Sequence, residues 1–278
     1  MSNETQPAAL LPPEDALPTA AEPAAALPVD EAPPRQVPEG RRATLRRVLR
    51  WGGYVLAFLV AWPIVMTLVY TVVPPPFSNI MLLRVLGGAG IEKQWVSLEQ
   101  ISPHLPRAVI SSEDARFCEH RGVDWREFQG VIEDALDQDE APIRGASTIP
   151  MQTAKNLFLW DGRFAIRKAV ELPLAMWMDL VWSKRRMIEV YLNVVEWAPG
   201  VYGAEAAAQH HFGKSAKKLT KKEAALLAAV LPNPIKRNAG KPSKGVKRIA
   251  NRILLRMAGM GPYLTCLQPP SGLKASSN

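Results

Sequence analysis

In the stretch SSEDARFCEHRGVDW, Glu113 and Asp114 adjoin, and Phe117 and His120 follow at i+4 and i+7 from Glu113. Two neighbouring carboxylates beside an aromatic ring can raise one pKa, through like charge and loss of water. That gives a general base or acid able to work near neutral pH. The same text also reads as a solvated acidic helix end, and a lone histidine is more often structural than catalytic. In GASTIPMQTAKN, Thr148, Gln152, Lys155 and Asn156 fall at i, i+4, i+7 and i+8. On a helix they form one polar stripe among Ile149, Met151, Leu157 and Phe158. In GRFAIRKAVELPLAMWMDL, Arg167 and Glu171 stand at i, i+4 with Lys168 beside them. Such a couple is usually a surface ion pair. Here Phe164, Ile166, Val170, Leu172 and Leu174 surround it, so the stripe is expected to be buried or to line a cleft. A cleft holding Lys155, Arg167, Lys168 and two separated carboxylates suits a sugar linked to phosphate. The cations would take the phosphate oxygens and the carboxylates would handle proton transfer.

These residues need helices to position them, and from about residue 95 the signals are helical. Ser102-Pro103 opens one helix. Asp124 to Glu127 and Thr220 to Glu223 read as capping boxes ahead of FQGVIEDAL and AALLAAVL. Ser147 is expected to cap the helix carrying the polar stripe, with Pro150 in its first turn. Further helices are expected over 163–182, 184–197, 204–212 and 246–257, with a mobile connection over 138–144 and no strand.

Composition separates the two ends of the chain. The 278 residues carry a formal charge of +8, but residues 1–40 hold seven acids against the single base Arg35. The body is therefore strongly basic, which suits an anionic partner. The first forty residues contain nine Pro and nine Ala. Such a segment buries too little apolar surface to offset its ordering entropy and is expected to be a disordered tail. No charge occurs from Trp51 to Leu83, and the 23 residues Trp51–Val73 are enough to span a bilayer. Arg41, Arg42, Arg46, Arg47 and Arg50 precede the span, while Arg84 and Lys93 are the only cations close after it. The positive-inside rule then places the N-terminus in the cytoplasm and the body outside. That topology excludes a nucleic-acid partner for the basic body. Cys118 and Cys266 could pair in an oxidising compartment, but two cysteines form no disulfide framework, and the reading as two unpaired thiols is preferred.

Taken in order, EDARFCEHRGVD, GASTIPMQTAKN, RKAVELPLA and KRRMIEVYLNVVEW resemble the successive motifs of the peptidoglycan glycosyltransferase family. GVYGAEAAAQHHFGKSAKKLTKKEAALLAAVLPNP extends the likeness, which covers roughly residues 95–235. The family includes the glycosyltransferase domain of class A penicillin-binding proteins and stand-alone, membrane-anchored monofunctional transglycosylases. About forty residues follow the last motif, too few for a transpeptidase domain, so the stand-alone type is expected. The sequence departs from the family's pattern at Ala146, usually Gly, and at Pro150-Met151, often Thr-Gln or Ser-Gln.

The resemblance implies a mainly α, lysozyme-like domain preceded by a single transmembrane helix. It implies lipid II and the growing glycan chain as substrates, joined by an inverting transfer. Glu113 matches the general base and Glu171 the second essential carboxylate, on the donor's phosphate side. Lys155, Arg167 and Lys168 match pyrophosphate-binding positions. Asp114, Phe117, His120, Thr148, Gln152 and Asn156 match positions that bind substrate or shape the site. A divalent cation, Mg or Mn, near the pyrophosphate is implied by many members, although no residue set in the sequence marks a metal site. The implied setting is the inner membrane, with the catalytic domain periplasmic and cell-wall synthesis or division proteins as partners. The expected organisation is a cytoplasmic tail (1–40), a basic juxtamembrane segment (41–50), the transmembrane helix (51–73), a connector (74–94), the glycosyltransferase domain (95–260) and a C-terminal tail (261–278).

Overall fold

The computed structural model describes residues 39–130, 147–160, 162 and 165–268. Glu39–Val69 is one helix, α1, with Pro63 inside it. Among the described residues it is the one helix long and apolar enough to cross a membrane, over Ala43–Val69, and almost none of that stretch is buried. The chain divides by its contacts into Met1–Trp51 and Gly52–Asn278, and every candidate site residue lies in the second unit.

After α1 come α2 (Asn79–Leu86), α3 (His104–Glu113), α4 (Ile149–Phe158), α5 (Ala165–Val181), α6 (Lys184–Val194), α7 (Ala204–Phe212), α8 (Lys221–Val230) and α9 (Lys244–Gly259). Residues 125–130 are also helical, and Asp124 Oδ1 accepts from the first-turn amides of Arg126 and Glu127. The capping box at Thr220 and Glu223 forms, each side chain bonding the other residue's amide.

Two helix groups build the body. α3, α8 and α9 pack on one another. The close approach follows from α8's small side chains: Ala224, Ala225, Ala228 and Ala229 are buried. In the second group α4 packs against both α5 and α6. The buried face of α6 is Met187, Ile188, Tyr191 and Leu192, the spacing of an amphipathic helix. α6 and its neighbours also fasten the end of α1. The Trp182 indole donates to the Thr67 carbonyl at 2.8 Å, and Arg186 donates to the carbonyls of Tyr70 and Val73 at 2.8 and 2.9 Å. Carbonyls that a helix C-terminus leaves open thereby find donors.

Four expectations are corrected. The helix expected over 184–197 stops at Val194, and Glu196–Ala198 is a strand, β2. It pairs antiparallel with β3 (Val201–Tyr202), which pairs in parallel with β1 (Glu92–Lys93), so a small sheet exists where none was expected. Strands of two or three residues are too short to show alternation. The cap of α4 is Thr148 rather than Ser147. Cys118 and Cys266 are joined in a disulfide, with Cα atoms 5.6 Å apart across a separation of 148 residues. The segment read as a C-terminal tail thus begins with a 3-10 helix, Gly261–Leu267, tied to the loop after Asp114. The connection expected over 138–144 lies outside the described residues.

Candidate active site

Glu113 ends α3, where the first helix group meets the second. Its side chain is half-buried. Its Oε2 accepts from Gln152 Nε2 on α4 at 3.1 Å, and the Ser112 hydroxyl donates to Oε1 at 3.4 Å. Burial pushes the Glu113 pKa above the ordinary glutamate range. The hydrogen bonds from Gln152 and Ser112 and the Arg237 guanidinium oppose that rise, while the Asp114 carboxylate adds to it.

Asp114 faces the other way and is buried. Its carboxylate meets His120 Nε2 at 2.8 and 3.0 Å and accepts from the Ile149 amide at 2.9 Å. It therefore holds the positive end of α4. Thr148 adds a second tie, its hydroxyl donating to the Gly122 carbonyl at 2.6 Å while capping the Met151 amide. Gly122 has φ +79°, and a Cβ there would lie 2.7 Å from the Ala175 carbonyl oxygen and 2.8 Å from the backbone of Met176. The loop thus runs flush against α5, and only glycine fits.

The second carboxylate, Glu171, is 2% exposed and engaged at both oxygens. Arg167 Nη1 donates to Oε1 at 2.5 Å, and Lys168 Nζ lies 3.3 Å from Oε2. Lys168 also donates to the Ser147 hydroxyl at 2.5 Å. Burial lowers the Lys168 pKa; Glu171 opposes the fall, and Arg167 and Lys155 add to it. Three cations thus share one field against a single carboxylate. Arg167 Nε is buried with no hydrogen-bond partner among the described residues. The two halves join at Ser147, whose carbonyl accepts from Gln152 Nε2 at 3.4 Å. A continuous chain of polar contacts therefore runs from Glu113 through Gln152, Ser147 and Lys168 to Glu171 and Arg167.

The structure brings these residues together and puts Lys155 in the same field. Other sequence candidates sit behind the wall. Phe117, read as binding substrate or shaping the site, has no exposed surface, and its ring lies 4.7 Å from the Lys184 ammonium and edge-on to His120. In this position the ring packs within the wall of the site. Asp114, His120 and Thr148 are likewise buried in the ties described, and Asn156 donates to the Gln152 carbonyl at 2.8 Å. Two contributors were missed. Ser147 was read as a cap and is instead the bridge. Tyr191 donates to Gln152 Oε1 at 2.9 Å. A tyrosine on the buried face of a helix needs a partner for its hydroxyl, and that was the available signal.

The described residues do not fit a protein-built metal site. No group of three or more His, Cys, Asp or Glu among them could hold an ion. The carboxylate nearest the cations, Glu171, is already engaged at both oxygens.

A family model described as Transglycosylase matches residues 81–258. The chain is 50% identical to the biosynthetic peptidoglycan transglycosylase of Rhizobium meliloti (strain 1021), over 83% of this chain and 99% of that protein. It is 56% identical to a protein of the same name from Agrobacterium fabrum, over 69% and 84% of the two chains. A third, from Rhodopseudomonas palustris (strain HaA2), is 52% identical over 76% and 93%.

Proposed function

The chain belongs to the transglycosylase family, and we propose that it polymerises lipid II into peptidoglycan strands from a membrane-anchored site in which Glu113 is the base. Glu113 removes the proton from the acceptor sugar's 4-hydroxyl. That oxygen attacks the anomeric carbon of the donor chain from the face opposite the lipid pyrophosphate. The new C–O bond forms as the bond to the pyrophosphate oxygen breaks, so the centre inverts and the pyrophosphate leaves as an anion. Lys155, Arg167 and Lys168 receive the charge that develops on it.

The observation that carries this reading is the state of Glu171. Hydrolysis of a glycosidic bond canonically uses a pair of carboxyls, one of which gives a proton to a poor leaving group. Glu171 accepts from a guanidinium and an ammonium at 2.5 and 3.3 Å and is placed to orient cations, not to donate a proton. A pyrophosphate leaving group needs only that. A lipid-linked donor is further supported by the outer side of α5, where Ile166 and Leu180 are 72% and 76% exposed on the helix that carries Arg167, Lys168 and Glu171. Leu82 and Leu86 of α2 are exposed too. Apolar surface of this kind is at home against lipid.

The domain lies outside the inner membrane with the N-terminus in the cytoplasm. The arginine asymmetry around the span supports this orientation, and so does the disulfide, because such bonds persist in oxidising compartments. A divalent cation at the pyrophosphate and association with cell-wall synthesis or division proteins belong to the same proposal. Glu113→Gln tests it: the amide keeps the shape but takes no proton. Lipid II consumption is expected to fall at least about a hundredfold with an unchanged circular dichroism spectrum. Near-normal turnover in a folded variant would remove Glu113 from the mechanism.

A further inference from the structure

The Gln152 amide sits between partners of opposite character. Its Nε2 faces two groups that only accept, Glu113 Oε2 at 3.1 Å and the Ser147 carbonyl at 3.4 Å. Its Oε1 faces the Tyr191 hydroxyl at 2.9 Å. Flipping the amide would set oxygen against oxygen on one side, so the orientation is fixed and the tyrosine is committed as a donor. Tyr191 is fully buried, and the helix that carries it is pinned on several sides. Asn193 exchanges hydrogen bonds with the backbone of Val96 at 3.0 and 2.9 Å, and Glu189 accepts from the Leu98 amide at 2.9 Å. The hydroxyl is therefore a fixed point from which the amide is aimed.

We propose that Tyr191 is a positioning residue for the reaction, acting through Gln152 to hold the Glu113 carboxylate where it meets the acceptor hydroxyl. This rests on the base role of Glu113 proposed above. It also reassigns Gln152: with its amide oxygen and one face of its nitrogen engaged inside the protein, it serves the base more than the substrate. The relay crosses three helices, α6 to α4 to α3, so it couples the two helix groups at the reacting carboxylate. Its consequence for proton transfer follows from the direction of the bonds. A donor on the ionised base favours that form. Taking away the hydroxyl loosens the amide and weakens the donor, so the base stays protonated to higher pH.

The test uses the full chain in detergent with lipid II, comparing wild type with Tyr191→Phe, Gln152→Leu and the double variant. Tyr191→Phe keeps the ring and its volume. It is expected to lose about fivefold in kcat/KM, the worth of roughly one hydrogen bond, with KM little changed. The acid limb of its pH profile moves to higher pH. Because Tyr191 acts only through Gln152, the double variant is expected to be no worse than Gln152→Leu. Placing 3-fluorotyrosine at 191 strengthens the donor and moves the limb the other way, which keeps the test open if the Phe variant does not fold. An unmoved acid limb in the Phe and fluorotyrosine proteins, or losses that multiply in the double variant, would overturn the relay while leaving the proposed function standing. A wild-type chain that makes no polymer would instead overturn the proposed function itself, and the relay with it.

Discussion

At neutral pH the Glu113 carboxylate is a charge the fold would rather see protonated, since burial raises its pKa from the ordinary 4.5. The sign of the linkage follows. Above the folded-state pKa the ionised group lowers stability, and the penalty disappears as pH falls below the unfolded value, where the group is neutral in both states. Glu113→Gln is therefore expected to melt at higher temperature than wild type at pH 7, with the gap closing towards pH 4. Thermal denaturation at both pH values checks this; a variant less stable than wild type at pH 7 contradicts it. Loss of activity with a gain in stability is what a working site on a rigid scaffold should show. Lys155→Ala is the complementary change, since it removes a cation from the field around Lys168. It is expected to weaken binding of a lipid pyrophosphate analogue about tenfold or more, as loss of a charge-assisted contact does, measured by titration calorimetry. Unchanged affinity would take Lys155 out of the pyrophosphate site.

Among the elements, the loop from Asp114 to Gly122 matters most, since it seats α4 and rests on α5. Gly122→Ala adds a Cβ at positive φ and drives it to 2.7 Å from the Ala175 carbonyl. Strain and overpacking together are expected to cost about 2–4 kcal/mol, read as a lowered urea midpoint at unchanged slope. A midpoint equal to wild type would mean that the loop has room to shift. The helices were legible in the sequence because their periodicity and caps are local, and the i, i+4 pair of Arg167 and Glu171 forms as spacing requires. What failed was non-local. Ser147 and Thr148 are equally good caps, and the choice is made by Gly122, whose carbonyl takes the Thr148 hydroxyl, and by Lys168, which takes Ser147. The polar stripe of α4 was seen as one face, yet Thr148 and Asn156 turn inward while Gln152 and Lys155 stay partly open. Tyr191 gave no local sign of what it touches, because its partner is 39 residues away.

For the whole molecule, the apolar helix and the disulfide bear on the same question from two sides. If the catalytic domain lies in an oxidising compartment, Cys118 and Cys266 are expected to resist maleimide labelling in spheroplasts, where the membrane-anchored chain is retained, until reductant is added. Replacing both by Ser is expected to cost about 2–4 kcal/mol, seen as a lowered urea midpoint; ready labelling without reductant contradicts the bond. Alkaline phosphatase fused after Asn278 is expected to be active, and an inactive fusion that fluoresces as a cytoplasmic reporter would reverse the topology. The central claim, synthesis at a pyrophosphate-linked donor, is tested most directly by giving the purified full chain two substrates in parallel. These are lipid II and purified, lipid-free glycan strands, with products separated by length. The expected result is polymer from lipid II, sharply reduced in Lys155→Ala, and lipid-free strands left at their original length. Fragments released from the lipid-free strands, equally by wild type and Lys155→Ala, with no polymer from lipid II, would contradict it.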